Sequence, residues 1–112
     1  MNEIDEMLPL TPAVFHILLA LASGPKHGYA IMQEVEVNTN GQLQMGPGTL
    51  YGSIKRMLKA DLIEETDGSN DDPRRRYYQL SPLGQAVGQA EAARLANLVQ
   101  VAQTKAHWGT VT

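Results

Sequence analysis

The sequence contains no cysteine among its 112 residues, and it has no excess of positive charge. The absence of cysteine excludes disulfides, thiolate zinc sites and cysteine nucleophiles, and it agrees with a reducing compartment. Lys and Arg number 9 against 12 Asp and Glu, a formal net charge of −3. The surface as a whole therefore does not attract nucleic acid or anionic lipid, although a local basic face is compatible with that total.

Signals for export and for membrane insertion are also missing. Glu3, Asp5 and Glu6 make the N-terminus acidic where a secretion signal would be basic. The longest nearly apolar run, residues 13–22, is about half the length of a membrane span. We therefore expect a cytoplasmic protein with no membrane partner.

The length and the 43% of hydrophobic residues predict one small domain with a core. A chain of this size lies near the lower end of what is stable alone, so a partner subunit is expected. Proline, glycine and capping residues divide the chain into elements. They predict a first helix from residue 12 to near residues 23–25, a second from about residues 27–28 to residues 38–41, a third from residue 47 to about 60 and a last from residue 83 to about 107. Strands are predicted over residues 62–66 and 76–80.

Three helices followed by a two-stranded hairpin are the element order of a winged helix-turn-helix, a mostly helical α+β fold in which the hairpin is the wing. We predict a DNA-binding domain over residues 8–81 and a C-terminal dimerisation helix over residues 82–107. Residues 1–7 and 108–112 are expected to be flexible tails.

The third predicted helix has two different faces. Leu50, Ile54, Met57 and Leu58 form an apolar stripe. The opposite face carries Gly48, Thr49, Gly52, Lys55, Arg56 and Lys59, and no acidic residue lies between Gly46 and Ala60. A hydroxyl and three cations suit phosphate oxygens and base edges, and a glycine in mid-helix suits close approach to DNA. The alternative is an ordinary solvated basic face.

Two further groups extend this DNA-binding prediction. Tyr51 lies at the border of the two faces, where its hydroxyl contacts a phosphate or its ring packs half buried. In the wing, Arg74, Arg75 and Arg76 suit the DNA backbone. Because the same loop contains Asp67, Asp71 and Asp72, we expect one or two arginines to reach DNA while the rest pair locally.

The last predicted helix has two apolar stripes, which predicts packing on its own domain and on a second chain. Leu83, Val87, Leu98 and Val101 belong to the first stripe, and Leu95, Val99 and Ala102 belong to the second. Phe15 and Leu19 of the first helix could line a cleft of the dimer together with Leu95 and Val99. Packed interface core explains these four residues equally well.

Four ordered motifs resemble the PadR family of bacterial transcriptional regulators. They are His27-Gly28-Tyr29-Ala30-Ile31, Gly48-Thr49-Leu50-Tyr51, Arg75-Arg76-Tyr77-Tyr78-Gln79-Leu80-Ser81 and Pro82-Leu83-Gly84. The resemblance implies a dimeric winged-helix repressor of the short group, whose last helix pairs with the N-terminal helix of the partner. Some short members bind flat hydrophobic compounds at a tryptophan midway along the last helix, whereas this chain has Leu95 there and its Trp108 near the end.

Other candidate sites have simpler interpretations. The start of the second helix suits a phosphate, but we favour Tyr29 as a core anchor and His27 as a helix cap. Tyr77 and Tyr78 should face opposite sides of their strand. His16, His27 and His107 are scattered and have no carboxylate at metal-site spacing, and no catalytic motif is present. We therefore predict no metal, no cofactor and no enzyme activity.

The sequence thus predicts a double-stranded-DNA-binding homodimer that represses transcription at a palindromic operator and is relieved by a signal, such as a small hydrophobic effector. Two alternatives remain at this stage. A winged-helix module for protein contact agrees with the net acidic charge and the wing aspartates. A ligand sensor would use the apolar cleft of the dimer.

Overall fold

The computed structural model of the chain describes residues 3–67 and 75–105. The helices are α1 (Glu3–Met7), α2 (Pro12–Leu21), α3 (Gly28–Asn38), α4 (Pro47–Lys59) and α5 (Pro82–Lys105). The strands are β1 (Lys26–His27), β2 (Ile63–Thr66) and β3 (Tyr77–Leu80). The predicted fold class is confirmed, because the described chain is mostly helical and its strands form one small antiparallel sheet.

Local capping explains where the helices begin. The Thr11 hydroxyl accepts a hydrogen bond from the Val14 amide at 3.3 Å, and Pro12 is the first residue of α2. At the start of α4 the cap residue is Gly46, which makes no side-chain cap hydrogen bond, and Pro47 is the first helical residue. At the start of α5 the Ser81 hydroxyl accepts from the Gly84 amide at 2.8 Å. These starts are the ones that the sequence predicts.

The sheet has the strand order β1, β3, β2, and both pairings are antiparallel. Strand β1 is not among the predicted elements, because two residues are too short for any periodicity. Its Lys26 pairs with Tyr78 and its His27 with Tyr77, so the start of α3 is attached to the second strand of the wing. Tyr78 is buried and Tyr77 half-buried, which confirms that they face opposite sides.

One hydrophobic core joins α2, α3, α4, the sheet and the first turns of α5. Its most buried large side chains are Ile17, Ile31, Leu50, Met57, Ile63, Val35 and Val87. α2 places Ile17, Leu18, Ala20 and Leu21 in this core, but Leu19 is 38% exposed. Helix α2 is therefore buried on one broad side and has an open apolar flank.

The N-terminal segment differs from the prediction of a flexible tail. Residues 3–7 form helix α1, and Ile4 and Met7 pack against the hydrophobic core. The two apolar side chains lie three residues apart and so share one face of a helix. Residues 108–112, the other predicted tail, lie outside the described residues.

Helix α5 begins against the domain and ends away from its core. The backbone of Gly84 is so close to the residue before strand β2 that an added Cβ would lie 1.9 Å from the carbonyl oxygen of Leu62. Val87 and Glu91 are also buried, whereas Leu98 and Val99 are each 54% exposed. The first half of α5 thus packs on its own domain. The second half presents apolar side chains to solvent.

Candidate nucleic-acid interface

Helix α4 separates apolar and polar side chains as its sequence predicts. Leu50, Ile54 and Met57 are at most 2% exposed, which confirms them as core residues. The exposed side chains that we predicted to contact DNA are Thr49, Tyr51, Lys55, Arg56 and Lys59. The helix contains no acidic residue. A cationic face therefore stands opposite the core-facing side.

Two glycines lie on the exposed side of α4 with space around them. Among the described residues, a Cβ at Gly48 would meet no atom within 4 Å, and a Cβ at Gly52 would meet only Arg56 Nη1, at 3.7 Å. Packing within the chain therefore does not require glycine at either position. A glycine inside a helix costs roughly 1 kcal/mol relative to alanine, so Gly52 needs an explanation from outside the chain.

The two halves of this exposed side differ. At 100° per residue, Gly48, Gly52, Lys55 and Lys59 fall within one narrow strip along the helix. The first two turns of the strip carry no side chain, and the last two carry ammonium groups. Arg56 is held beside the strip, where its Nη2 donates a hydrogen bond to Ser53 Oγ at 3.3 Å.

The wing arginines have different environments. Arg76 Nη1 lies 3.6 Å from Glu65 Oε2 in an exposed pair, which is the kind of local pairing that we expected for part of this group. Arg75 Nη1 lies 3.0 Å from Nε2 of His27, at the start of α3. Arg74 lies outside the described residues, as do the aspartates at 71 and 72.

A pocket of about 350 Å³ lies where the wing meets α3 and α4. Its lining residues are His27, Gly28, Tyr29, Tyr51, Arg75 and Arg76. The Tyr51 hydroxyl lies over the buried Gly28, at which a Cβ would be only 2.3 Å from Tyr51 Oη. Tyr51 is 48% exposed, so its ring is half-buried and its hydroxyl also borders the pocket.

The sequence predicts structural roles for His27 and Tyr29 at the start of α3. His27 is a helix cap, because its Nδ1 accepts a hydrogen bond from the Ala30 amide at 3.2 Å. The interpretation of Tyr29 as a core anchor is wrong, since this side chain is 59% exposed and borders the pocket. Ile31, two residues later, faces the core, and two residues correspond to about 200° of rotation around a helix.

An apolar groove of about 560 Å³ separates α2 from α5 on another part of the domain. It is lined by Phe15, Leu18, Leu19, Leu80 and Ala92, with Gln79, Gln85 and Gln89 as polar members. Phe15 and Leu19, which we predicted at a dimer interface, therefore lie together. The other predicted interface residues follow along α5, with Leu95 and Ala102 half-buried and Val99 exposed.

Within residues 3–67 and 75–105, no group of three or more His, Asp and Glu side chains is arranged to hold a metal ion. None of the helices in this part of the chain is long and apolar enough to cross a lipid bilayer. The polar groups that are suited to DNA are the cationic side of α4 and the donor-rich pocket beside it.

Comparison with known proteins identifies the family. The model of the PadR-like transcriptional regulator family matches residues 17–90, which include α3, α4 and both wing strands. The chain belongs to the PadR-like family. The members of this family are DNA-binding transcription regulators and not enzymes.

Individual relatives agree with this assignment. The PadR-like chain is 37% identical over 82 residues to a 37.1 kDa transposon protein of Streptomyces fradiae, and 35% identical over 71 residues to protein X of Lysinibacillus sphaericus. It spans 22% and 65% of their lengths, while these matches cover 73% and 62% of the chain. A PadR family transcription regulator from Clostridium difficile has the same fold, with a TM-score of 0.70, 22% identity and coverage of 83% of this chain and 96% of that one.

Proposed function

We propose that this PadR-like regulator is a repressor that binds a palindromic operator in double-stranded DNA as a homodimer. The observation that carries the proposal is the exposed side of α4, which combines Thr49, two glycines in open space and three cations with no acidic residue. The net charge of −3 does not oppose it, because the sign of charge that matters is local to this helix.

The two halves of α4 suit two different parts of DNA. A recognition helix presents its N-terminal residues to base edges in the major groove. There the backbone near Gly48 and Gly52 can approach closely, with the Thr49 hydroxyl as a donor or acceptor for a base. Lys55, Arg56 and Lys59, further along the helix, suit the phosphates that border the groove.

The wing adds further positive charge beside α4. Arg75 is exposed and lies outside any carboxylate pair in the described part of the chain. Arg76 shares its charge with Glu65, and Arg74 remains a predicted contact. A guanidinium presents several donors in one plane, which suits phosphate oxygens of the backbone. The wing therefore positions the domain on DNA, and α4 supplies sequence recognition.

The distal half of α5 supports dimerisation. Leu98 and Val99 are each 54% exposed and Val101 is 43% exposed, on a helix that continues past the core of its own domain. Phe15 and Leu19 line an open groove on the same side of α2. We propose that a second copy covers these surfaces with Leu95, Val99 and Ala102. Two-fold symmetry then predicts half-sites about 34 Å apart, or a multiple of that distance.

Relief of repression is proposed to act through the same region. A groove of about 560 Å³ is within the size range of small-molecule sites, and its apolar lining with three glutamine amides suits a flat hydrophobic effector. An effector that shifts the position of the second protomer relative to the first would change the distance between the two α4 helices. Operator affinity would fall because both half-sites must be reached together.

Selection of bound sequences from random duplex DNA by the purified full chain tests this proposal. We expect enrichment of an inverted repeat. Recovery of no preferred sequence, together with an absence of salt-dependent binding, would contradict the proposal and favour a protein-contact module. The recovered duplex then serves to measure the Kd over a range of salt concentrations.

The double variant Lys55→Ala/Arg56→Ala tests the role of α4. Each phosphate contact contributes roughly 0.9 to the slope of log K against log salt. The double variant removes two cations from each protomer of the dimer, so the slope should fall by roughly 3.6 and the affinity should drop. Lys105→Ala removes a cation at the end of α5 and is the matched control, with an unchanged slope. An unchanged slope in the double variant would exclude α4 as the recognition helix.

A further inference from the structure

We infer that the pocket between α3, α4 and the wing binds one phosphate oxyanion, with His27 Nε2, the Arg75 guanidinium and the Tyr51 hydroxyl as donors. The described residues that line it are His27, Gly28, Tyr29, Tyr51, Arg75 and Arg76, none of which is a carboxylate. The inference adds His27 to the proposed interface. It rests on the proposed function in so far as DNA supplies the phosphate.

The imidazole of His27 faces a hydrogen-bond donor at each of its two nitrogens. Nδ1 accepts from the Ala30 amide at 3.2 Å, and Nε2 lies 3.0 Å from Arg75 Nη1. A neutral imidazole has one acceptor nitrogen, and a guanidinium can only donate. Because Nδ1 is the acceptor that caps α3, Nε2 carries the hydrogen. Two donors therefore point at one another, and no residue in the described part of the pocket lining is a carboxylate that could accept from both.

An oxyanion placed beside these two groups supplies the missing acceptor. Its oxygens can accept from both Nε2–H of His27 and the guanidinium of Arg75, and charge-assisted hydrogen bonds of this kind are stronger than neutral ones. A carboxylate within the pocket would have satisfied the same donors internally. Glu65 is not among the residues that line the pocket, and it pairs with Arg76 at 3.6 Å.

The third donor is the Tyr51 hydroxyl, which reaches the pocket because residue 28 is a glycine. A Cβ at Gly28 would lie 2.3 Å from Oη and 2.7 Å from Cζ of Tyr51. Any other residue at position 28 would displace the phenol of Tyr51. With glycine at this position, the Tyr51 hydroxyl occupies the space that a Cβ would fill. The donors thus come from three separate elements, and one bound phosphate would tie α3, α4 and the wing together.

The orientation of His27 is fixed on two sides. Its cap bond to Ala30 holds Nδ1, and its ring meets the ring of Tyr77 edge to face, with centroids 5.3 Å apart and an interplanar angle of 88°. The direction of Nε2 is therefore set before any ligand arrives. A donor fixed in advance binds with a smaller loss of conformational entropy than a free side chain does.

Two conservative variants separate this role from the structural role of the same residues. His27→Asn keeps a side-chain oxygen that can cap α3, and its shorter side chain has no donor at the position of Nε2. Tyr51→Phe keeps the ring over Gly28 and removes the hydroxyl. With the selected duplex, each variant should weaken binding about tenfold. Tyr51→Phe should do so without a lower Tm, and Gln33→Ala, at an exposed residue of α3, should have no effect on binding.

A modified duplex identifies the contacted phosphate. When single methylphosphonate linkages are scanned along the selected duplex, the wild type should lose about tenfold in affinity at one position in each half-site. At that position His27→Asn should lose nothing further, because the interaction is already absent. The DNA phosphate would be overturned as the ligand if His27→Asn lost as much affinity as the wild type at every methylphosphonate position. Wild-type affinity of both variants for the unmodified duplex would overturn it as well.

Titration with inorganic phosphate distinguishes a free anion from the DNA backbone. In the absence of DNA we expect a saturable shift of the His27 Hε1 resonance that is lost in Arg75→Ala. A saturable shift with no effect of the variants on DNA binding would assign the pocket to free phosphate. Absence of both effects would overturn the oxyanion site. If random selection recovers no DNA at all, the proposed function fails and the titration still decides on the pocket.

Discussion

The carboxylate of Glu91 accepts a hydrogen bond from the backbone amide of Leu10 at 2.8 Å, across 81 positions of sequence. Glu91 is only 1% exposed, and Arg94 of the same helix donates to both of its oxygens. The hydrogen bond from Arg94 is the main cause that lowers the pKa of Glu91, with a smaller contribution from Leu10, and burial opposes them. The pair fastens the segment before α2 to the middle of α5.

Replacement of Glu91 by glutamine removes the buried ion pair and should lower the free energy of unfolding by about 2 kcal/mol at pH 7. A carboxyl whose pKa is lower in the folded state stabilises the fold above its ordinary value of 4.5 and loses that contribution as the pH falls through the folded-state value. Urea denaturation from pH 3 to pH 7 measures the difference from wild type, which should shrink in acid.

The control for this prediction is Glu34→Gln, which removes a half-exposed contact of 3.5 Å with Lys26. It should change stability by less than about 1 kcal/mol at any pH. A difference between Glu91→Gln and the wild type that stays constant from pH 3 to pH 7 would show that the charge of Glu91 does not stabilise the fold.

Gly84 and Gly88 lie one turn apart on α5 and should respond in opposite ways to alanine. A Cβ at Gly84 would lie 1.9 Å from the backbone oxygen of Leu62, whereas one at Gly88 would lie 3.9 Å from Leu18 Cδ1, an ordinary contact. Gly84→Ala should destabilise the chain by about 3 kcal/mol. Gly88→Ala should stabilise it by up to about 1 kcal/mol. Thermal unfolding of both variants measures these two effects. Equal Tm values would contradict the close approach of α5 to the backbone of Leu62.

The features that sequence alone predicts are local ones. Thr11-Pro12, Gly46-Pro47 and Ser81-Pro82 mark helix starts because capping involves atoms within one turn. The core and cationic sides of α4 follow from its 3.6-residue period, since each residue's face depends only on its place in the helix. The family motifs lie in these same elements, so the fold class was also predictable.

The features that sequence did not predict depend on distant partners. Strand β1 exists through its pairing with Tyr77 and Tyr78, and the contact between His27 and Arg75 joins residues 48 positions apart. The burial of Glu91 depends in the same way on the amide of Leu10. A charged residue in a helix is ordinarily solvated, and nothing in its neighbourhood along the chain indicates otherwise. The pocket could have been suspected only from the His27-Gly28-Tyr29 motif.

Gly52→Ala should raise stability and lower DNA affinity at the same time. An added Cβ has space in the free chain, where its nearest neighbour would be Arg56 Nη1 at 3.7 Å, so the helix should gain up to about 1 kcal/mol. If α4 approaches base edges at this point, the methyl group meets DNA and the Kd rises. Gly88→Ala gives a comparable gain without a change on α4. Unchanged DNA affinity in a stabilised Gly52→Ala would show that DNA does not approach closely here.

The exposed end of α5 predicts how the chain associates. Leu98→Glu/Val99→Glu places two charges on residues that are each 54% exposed and that we propose to be covered by a second copy. Burial of unpaired carboxylates is strongly unfavourable, so light scattering after size-exclusion chromatography should give the mass of a monomer. Loss of the second half-site should then weaken operator binding about a hundredfold while the binding that remains keeps its dependence on Lys55.

Val37→Glu is the matched control for this variant, because Val37 is 72% exposed but lies on α3. It should leave the mass of the wild type unchanged. A dimer that persists in Leu98→Glu/Val99→Glu would place the interface elsewhere, and dissociation in Val37→Glu would place it on α3. In either case the two α4 helices would be spaced differently, so the half-site spacing of the selected operator provides an independent check on the same interface.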